Sequence, residues 1–295
     1  MGNSSYTKKM PVNASGNTHN IIRATSNEQL ILHFTDIEIG VVTALQSELD
    51  VLKKAAVRHE SIVGKKRTYD KLYFEINGRE FAIIAHTLNR MGISSMSITL
   101  MEILHFFPQL KYIGLIGIAA GSSSKNQNKG DILIPTTVYN YEMGKYTESL
   151  KGESIEVSFE SDYKSFPIDE DVLQKITTVT NNENILNAIL QSWDGPKSNQ
   201  LKVHVGDFAC GSSVIASKTK VKQIEDAISR KYIGLDMESY ALAAVNQLKH
   251  NENIKMFIIK SITDFADSTK DDSDHDFASY IAAKVFLEVC SLVLI

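Results

Sequence analysis

From residue 37 onward, short β-branched runs alternate with segments of helical period, and this alternation constrains the chain more than any other feature. Ile37-Glu38-Ile39-Gly40-Val41-Val42 reads as a buried strand, and Ala44 to Val57 follows with Leu45, Leu49 and Leu52 at helical spacing. Tyr69 to Ile76 and Glu80 to Thr87 read as two strands joined by Asn77-Gly78, a pair that favours a tight hairpin turn. The pattern then predicts a helix over Ser94 to Phe107, a strand over Tyr112 to Ala119, and a strand over Asp131 to Val138 with Pro135 at its end. Residues 141–200 are more polar and less regular, with one or two helices between Asp169 and Trp193 broken near Asn181-Asn182. The chain closes with strand Val203–Ala209, helix Thr219–Ser229, strand Tyr232–Leu235, helix Met237–Leu248, strand Lys255–Ile262 and helix Phe277–Val293. Repeated strand-then-helix order predicts an α/β fold, a three-layer α/β/α sandwich around a central mixed sheet.

Composition narrows the function. Of 295 residues, 43% are hydrophobic, which is enough for a large core. The net charge of −4 argues against a dedicated nucleic-acid partner. Two cysteines, Cys210 and Cys290, exclude a disulfide framework and a Cys-rich zinc site. No stretch approaches the ~18–20 uninterrupted apolar residues of a membrane span, and the N-terminus lacks a signal-peptide core. The expectation is a cytoplasmic protein with no membrane partner, no metal and no cofactor. Residues 1–36, rich in Asn, Ser and Thr, are expected to form a flexible or loosely docked extension. Within it, Leu30, Ile31, Leu32 and Phe34 form an apolar cluster able to pack on a domain spanning 37–295.

In open α/β sheets, ligands bind at the carboxyl ends of strands. Four such ends carry suggestive residues. Glu48 lies one turn into the helix after the first strand, which suits a partner for the helix dipole or a general base. Gly117-Ile118-Ala119-Ala120-Gly121 lets a ligand approach backbone, or is a simple tight turn. Glu238, in Asp236-Met237-Glu238, either caps the following helix or binds a diol. Asp264 follows a buried run, where a carboxylate needs a partner or a raised pKa, and the second case would make it a general acid. Its bland reading is an N-cap.

Taken in order, Val41-Val42-Thr43-Ala44-Leu45-Gln46-Ser47-Glu48, Gly117 to Gly121, Gly130-Asp131-Ile132-Leu133-Ile134-Pro135, Gly234-Leu235-Asp236-Met237-Glu238 and Ser261 to Asp267 resemble the purine nucleoside phosphorylase and uridine phosphorylase superfamily. The nucleosidase branch is the most similar: methylthioadenosine/S-adenosylhomocysteine nucleosidases, and nucleosidase domains attached to immune effectors. The resemblance runs from about residue 37 to the C-terminus. It implies that Asp264 is the general acid at purine N7, that Glu48 activates water, and that Glu238 holds the ribose hydroxyls with Met237 against the sugar. It further implies that Ser213, Val214 and Ile215 line the base pocket with Ala119, Ala120 and Thr263 close by. The implied reaction is hydrolysis of the N-glycosidic bond of a purine nucleoside or nucleotide, in a homodimer or higher homo-oligomer.

Departures from the branch leave the substrate open. Ile118 and Ala120 stand where the methylthioadenosine enzymes have Ser and Gly, Val214 replaces a stacking aromatic residue, and His275 occupies the place of a phenylalanine from a neighbouring subunit. The arginines that hold phosphate in the phosphorolytic branches are missing from Gln46-Ser47-Glu48-Leu49 and Ile113-Gly114-Leu115-Ile116. Arg90 keeps a phosphate-dependent phosphorylase open as the alternative, and Arg90 or Lys270 can meet a 5′ phosphate. A second alternative is an inactive module that senses a nucleoside.

Overall fold

In a computed structural model, residues 8–9, 18–152, 154–196, 200–249, 253–267 and 274–294 are described. In chain order the elements are β1 (Lys8–Lys9), β2 (Thr18–Arg23), α1 (Asn27–Leu32), β3 (Ile39–Thr43), α2 (Gln46–Ala55), β4 (Arg58–Val63), β5 (Thr68–Ile76), β6 (Arg79–Thr87), α3 (Ile93–Phe106), β7 (Tyr112–Gly121) and β8 (Ile132–Asn140). There follow β9 (Gly144–Lys151), β10 (Ser154–Ser161), β11 (Lys164–Pro167), α4 (Glu170–Thr180), α5 (Glu183–Gln191), β12 (Val203–Cys210), α6 (Lys218–Ile228), β13 (Tyr232–Asp236), α7 (Ser239–Leu248), β14 (Lys255–Asp264) and α8 (His275–Val289). A π turn, Cys290–Leu294, continues α8.

The expected α/β/α architecture around a mixed sheet is the one observed. The strands run β1-β2-β4-β5-β6-β3-β7-β13-β12-β8-β11, with β14 between β7 and β8. Pairings β7–β14, β14–β8, β8–β12, β12–β13 and β13–β7 close five strands into a ring. The apolar runs of β3, β7, β13 and β14 are almost wholly buried, as strands covered on both faces must be. Helix α8 packs on β7 and β14 and meets α2, α4 and α5, whereas α3 and α7 pack on each other. The helical stretch His275–Leu294 is long and apolar enough to cross a membrane by composition, but most of it is buried inside the protein as a core helix.

Local expectations fare unevenly. Asn77 and Gly78 take φ of 53° and 72°, the paired positive values of a type I′ hairpin turn. Pro135 lies within β8 rather than at its end. It sits beside a register shift against β12 between Gly206 and Asp207, a position where a strand tolerates a missing N–H. The polar stretch after Tyr141 contains a hairpin, β9–β10, that its composition did not announce.

The extension expected over residues 1–36 is docked wherever its packing is described; residues 1–7 and 10–17 lie outside the described residues. Strand β2 pairs in parallel with β4, and Ser26 caps α1 by accepting the Gln29 N–H. Of the apolar cluster, Leu30 and Phe34 are buried while Leu32 stays exposed. Phe34 meets the Phe107 ring edge-on at 5.2 Å and Tyr69 at 6.4 Å. Truncating a fully buried phenylalanine costs about 3–5 kcal/mol. Phe34→Ala is therefore expected to lower the urea midpoint with the denaturant slope unchanged. An unchanged midpoint would show that this segment does not belong to the core.

Candidate active site

Glu48, Glu238 and Asp264 come from three separate strand ends and line one cavity of about 210 Å³. Met237, Ala119, Ala120, Ser213, Val214, Ile215, Thr263 and His275 line it as well. Arg90 does not. It is exposed in the turn before α3, beside Met91, which does line the cavity. Lys270 lies outside the described residues.

Glu48 is buried at the start of α2, where one oxygen serves the helix and the other serves the sheet. Oε2 accepts the N–H groups of Ala44 and Leu45, both at 2.9 Å, and Oε1 accepts the Ile118 N–H at 2.8 Å. The dipole-partner reading is thus correct and compatible with a place in the cavity wall. Burial pushes the carboxyl above its ordinary pKa, against the opposing pull of Lys260 and the three backbone donors. Gly117 faces this carboxylate at φ +146°, and any Cβ there would collide with it. Gly117 to Gly121 forms the end of β7, not the tight turn that its glycines suggest, and the small residue at 117 is required by Glu48 packing.

Asp236, rather than Glu238, ties down the start of α7. Its Oδ1 accepts the N–H groups of Glu238 and Ser239, and Oδ2 accepts the Ser239 hydroxyl at 2.6 Å. Glu238 is thereby released from capping, and its Oε1 accepts the Gly92 N–H at 2.7 Å, tying α7 to the start of α3. Lys260, at 1% exposure, places Nζ 3.2 Å from Asp236 Oδ2. Burial works to strip its proton, but Asp236, Glu48 and Glu238 outweigh burial and hold the ammonium above its ordinary value. Burial, reinforced by Asp236, pushes Glu238 up to about 7.

Asp264 ends β14, and the next helix is capped elsewhere, so the N-cap reading fails for it. The carboxylate is buried with a partner, accepting the Ala266 N–H at 2.7 Å. Ala266 holds φ of 51°, a left-handed value that alanine adopts at a cost, and such strain collects at functional sites. A register shift of β14 against β7 between Ile262 and Asp264 bulges the strand at Thr263. The Thr263 hydroxyl, buried in the cavity wall, makes no hydrogen bond among the described residues.

This arrangement is set on a fold that matches known proteins over most of its length. The model of the phosphorylase superfamily covers residues 38–294. The chain belongs to that superfamily. An uncharacterized protein y4jS of Sinorhizobium fredii is 28% identical over 265 residues, 88% of this chain, which spans 62% of that longer relative. A 5′-methylthioadenosine/S-adenosylhomocysteine nucleosidase of Buchnera aphidicola is 28% identical over 236 residues, covering 79% of this chain and 86% of the relative. Among solved structures, Streptococcus pneumoniae MTA/SAH nucleosidase in complex with 8-aminoadenine superposes with a TM-score of 0.64 at 17% identity. That match covers 87% of this chain and all of the other.

Sequence reasoning missed Lys260, Asp236 and Gly92. The signal for Lys260 was present: a lysine inside Met256-Phe257-Ile258-Ile259-Lys260-Ser261-Ile262 is a charge in a run that must be buried, and such a charge needs a partner.

The raised Glu238 gives a signed pH dependence. The folded state holds this proton more tightly than the unfolded state does. The resulting stabilisation is full below the unfolded value of 4.5 and is lost as pH rises through about 7. Glu238→Gln removes it. Urea unfolding is expected to show the variant gaining on the native protein between about pH 5 and 8. A difference that stays flat with pH would place the proton elsewhere.

Proposed function

We propose that this chain hydrolyses the N-glycosidic bond of a purine nucleoside or nucleotide and releases the free base. One observation carries the reading: three strand ends bring four acids, Glu48, Asp236, Glu238 and Asp264, to a single cavity whose described lining contains no lysine or arginine. Asp264 donates a proton toward N7 as the C1′–N9 bond breaks, so the base departs with the bonding electron pair neutralised. Glu48, anchored by three backbone N–H groups, accepts a proton from the water whose oxygen bonds to C1′. Glu238, near its midpoint at neutral pH, can both accept from and donate to the ribose hydroxyls. Carboxylates around the sugar favour oxocarbenium character electrostatically.

The same lining favours water over phosphate as nucleophile. Two glutamates repel an incoming anion, and Arg90 lies off the cavity. The base pocket formed by Ser213, Val214 and Ile215 with Ala119, Ala120 and Thr263, the sugar contact of Met237 and the rim position of His275 belong to the same proposal. So does self-association, for which the exposed Ile98 and Met101 of α3 and Leu248 of α7 supply an apolar face.

A chromatographic screen tests the reading. Methylthioadenosine, S-adenosylhomocysteine, adenosine, inosine, guanosine, AMP and ATP would each be incubated with the protein, with and without phosphate. Base release without phosphate is expected. Asp264→Asn should slow it by about 10²–10⁴, the usual worth of a general acid. Release only with phosphate would establish the phosphorolytic reading. An Asp264→Asn variant as fast as the native protein would remove the general-acid role.

A further inference from the structure

A second cavity, of about 560 Å³, adjoins the first and shares with it the wall Ser213, Val214 and Ile215. That wall is held by Tyr141 and Glu142, which line the second cavity themselves, and the Glu142 carboxylate is taken up by the wall. Glu142 accepts the Ser212 N–H at 2.8 Å and the Ser213 hydroxyl at 2.9 Å, and the Tyr141 hydroxyl donates to the Ser213 carbonyl at 3.1 Å. Val214 is the exposed apolar side chain of that wall, 61% exposed and shared by the two cavities.

The far side of the second cavity is aromatic and cationic. Tyr146 and Phe159 pair across the β9–β10 hairpin, with ring centroids 5.0 Å apart and planes inclined at 54°. Tyr146 is 75% exposed, a large ring with much of its surface uncovered. Lys220, half-buried, lies 5.8 Å from the Phe159 ring centroid and forms no ion pair among the described residues. Two rings and an uncommitted cation recognise a planar apolar group that carries an acid.

We propose that this cavity is a second subsite for the substrate. It takes an aromatic, acidic substituent joined to the six-membered ring of the purine and passing over Val214. The proposal rests on the nucleosidase reading, which sets the base against Ser213 to Ile215. The substrate class is then a base-substituted purine nucleoside, larger than the nucleoside that the first cavity alone would hold.

Calorimetric titration with free bases tests the subsite without any turnover. Adenine, 6-benzylaminopurine and 6-(4-carboxybenzylamino)purine would be compared. The benzyl compound should bind about tenfold tighter than adenine, and the carboxylate should add about threefold more. In the Tyr146→Ala/Phe159→Ala variant the benzyl-to-adenine ratio should fall to about one. In Lys220→Met only the carboxylate increment should disappear. Leu150→Ser, on the same hairpin but outside both cavities, should keep both ratios and so separates loss of the rings from damage to the hairpin. Equal binding of adenine and the benzyl compound, a ratio that survives removal of the rings, or no binding of any of the three bases would overturn the subsite. Base release from unsubstituted nucleosides combined with equal binding would sink the subsite alone and leave the nucleosidase reading standing.

Discussion

One buried ammonium faces three buried carboxylates at the heart of this molecule, and the surrounding structure is arranged around that imbalance. Lys260 contacts Asp236 directly and sits within the field of Glu48 and Glu238. Four ionised groups out of water would be prohibitive without compensation. Two devices supply it. Backbone N–H groups from three segments point at the glutamates, and the glutamates hold their protons more tightly than in water. Glu238, pushed up to about 7, therefore carries only part of a negative charge at neutral pH.

The backbone bends to meet this demand. Gly117 can pass Glu48 only because it has no side chain and tolerates φ of +146°. Gly92 offers its N–H to Glu238 at φ +111°. Ala266 accepts a left-handed conformation with its N–H on Asp264, and β14 bulges at Thr263 just before. These departures from regular geometry fall beside the three acids, where the ring of five strands holds the chain firmly enough to maintain them.

Much of this was legible in the residues. The alternation of β-branched and helical segments marks nearly every central strand, and Asn77-Gly78 marks its hairpin. The acids that line the cavity stood at strand ends, where an open sheet presents its ligands. What escaped depended on contacts between segments distant in sequence. The Asn-rich approach to Phe34 read as flexible or loosely docked with an apolar cluster able to pack, and the partners of that cluster, Tyr69 and Phe107, are remote in the chain. Lys260 looked like one residue of a strand because its partner Asp236 is on β13. Arg90 was a candidate as a cation near the strand ends able to meet a phosphate, yet of that turn it is Met91, one step along, that lines the cavity. The β9–β10 hairpin is apolar on only one face, so its average composition read as loop.

The position of β2 has a practical side. It joins the sheet at the outer flank, five strands along from β7, or roughly 24 Å at about 4.8 Å per strand. The cavity is lined from β7, β13 and β14 and from the residues that follow β3 and β6. A bulky attachment carried through β2 thus has its root on a strand that contributes nothing to the described cavity wall. Immobilising the protein by this flank would anchor it through an element the site does not use.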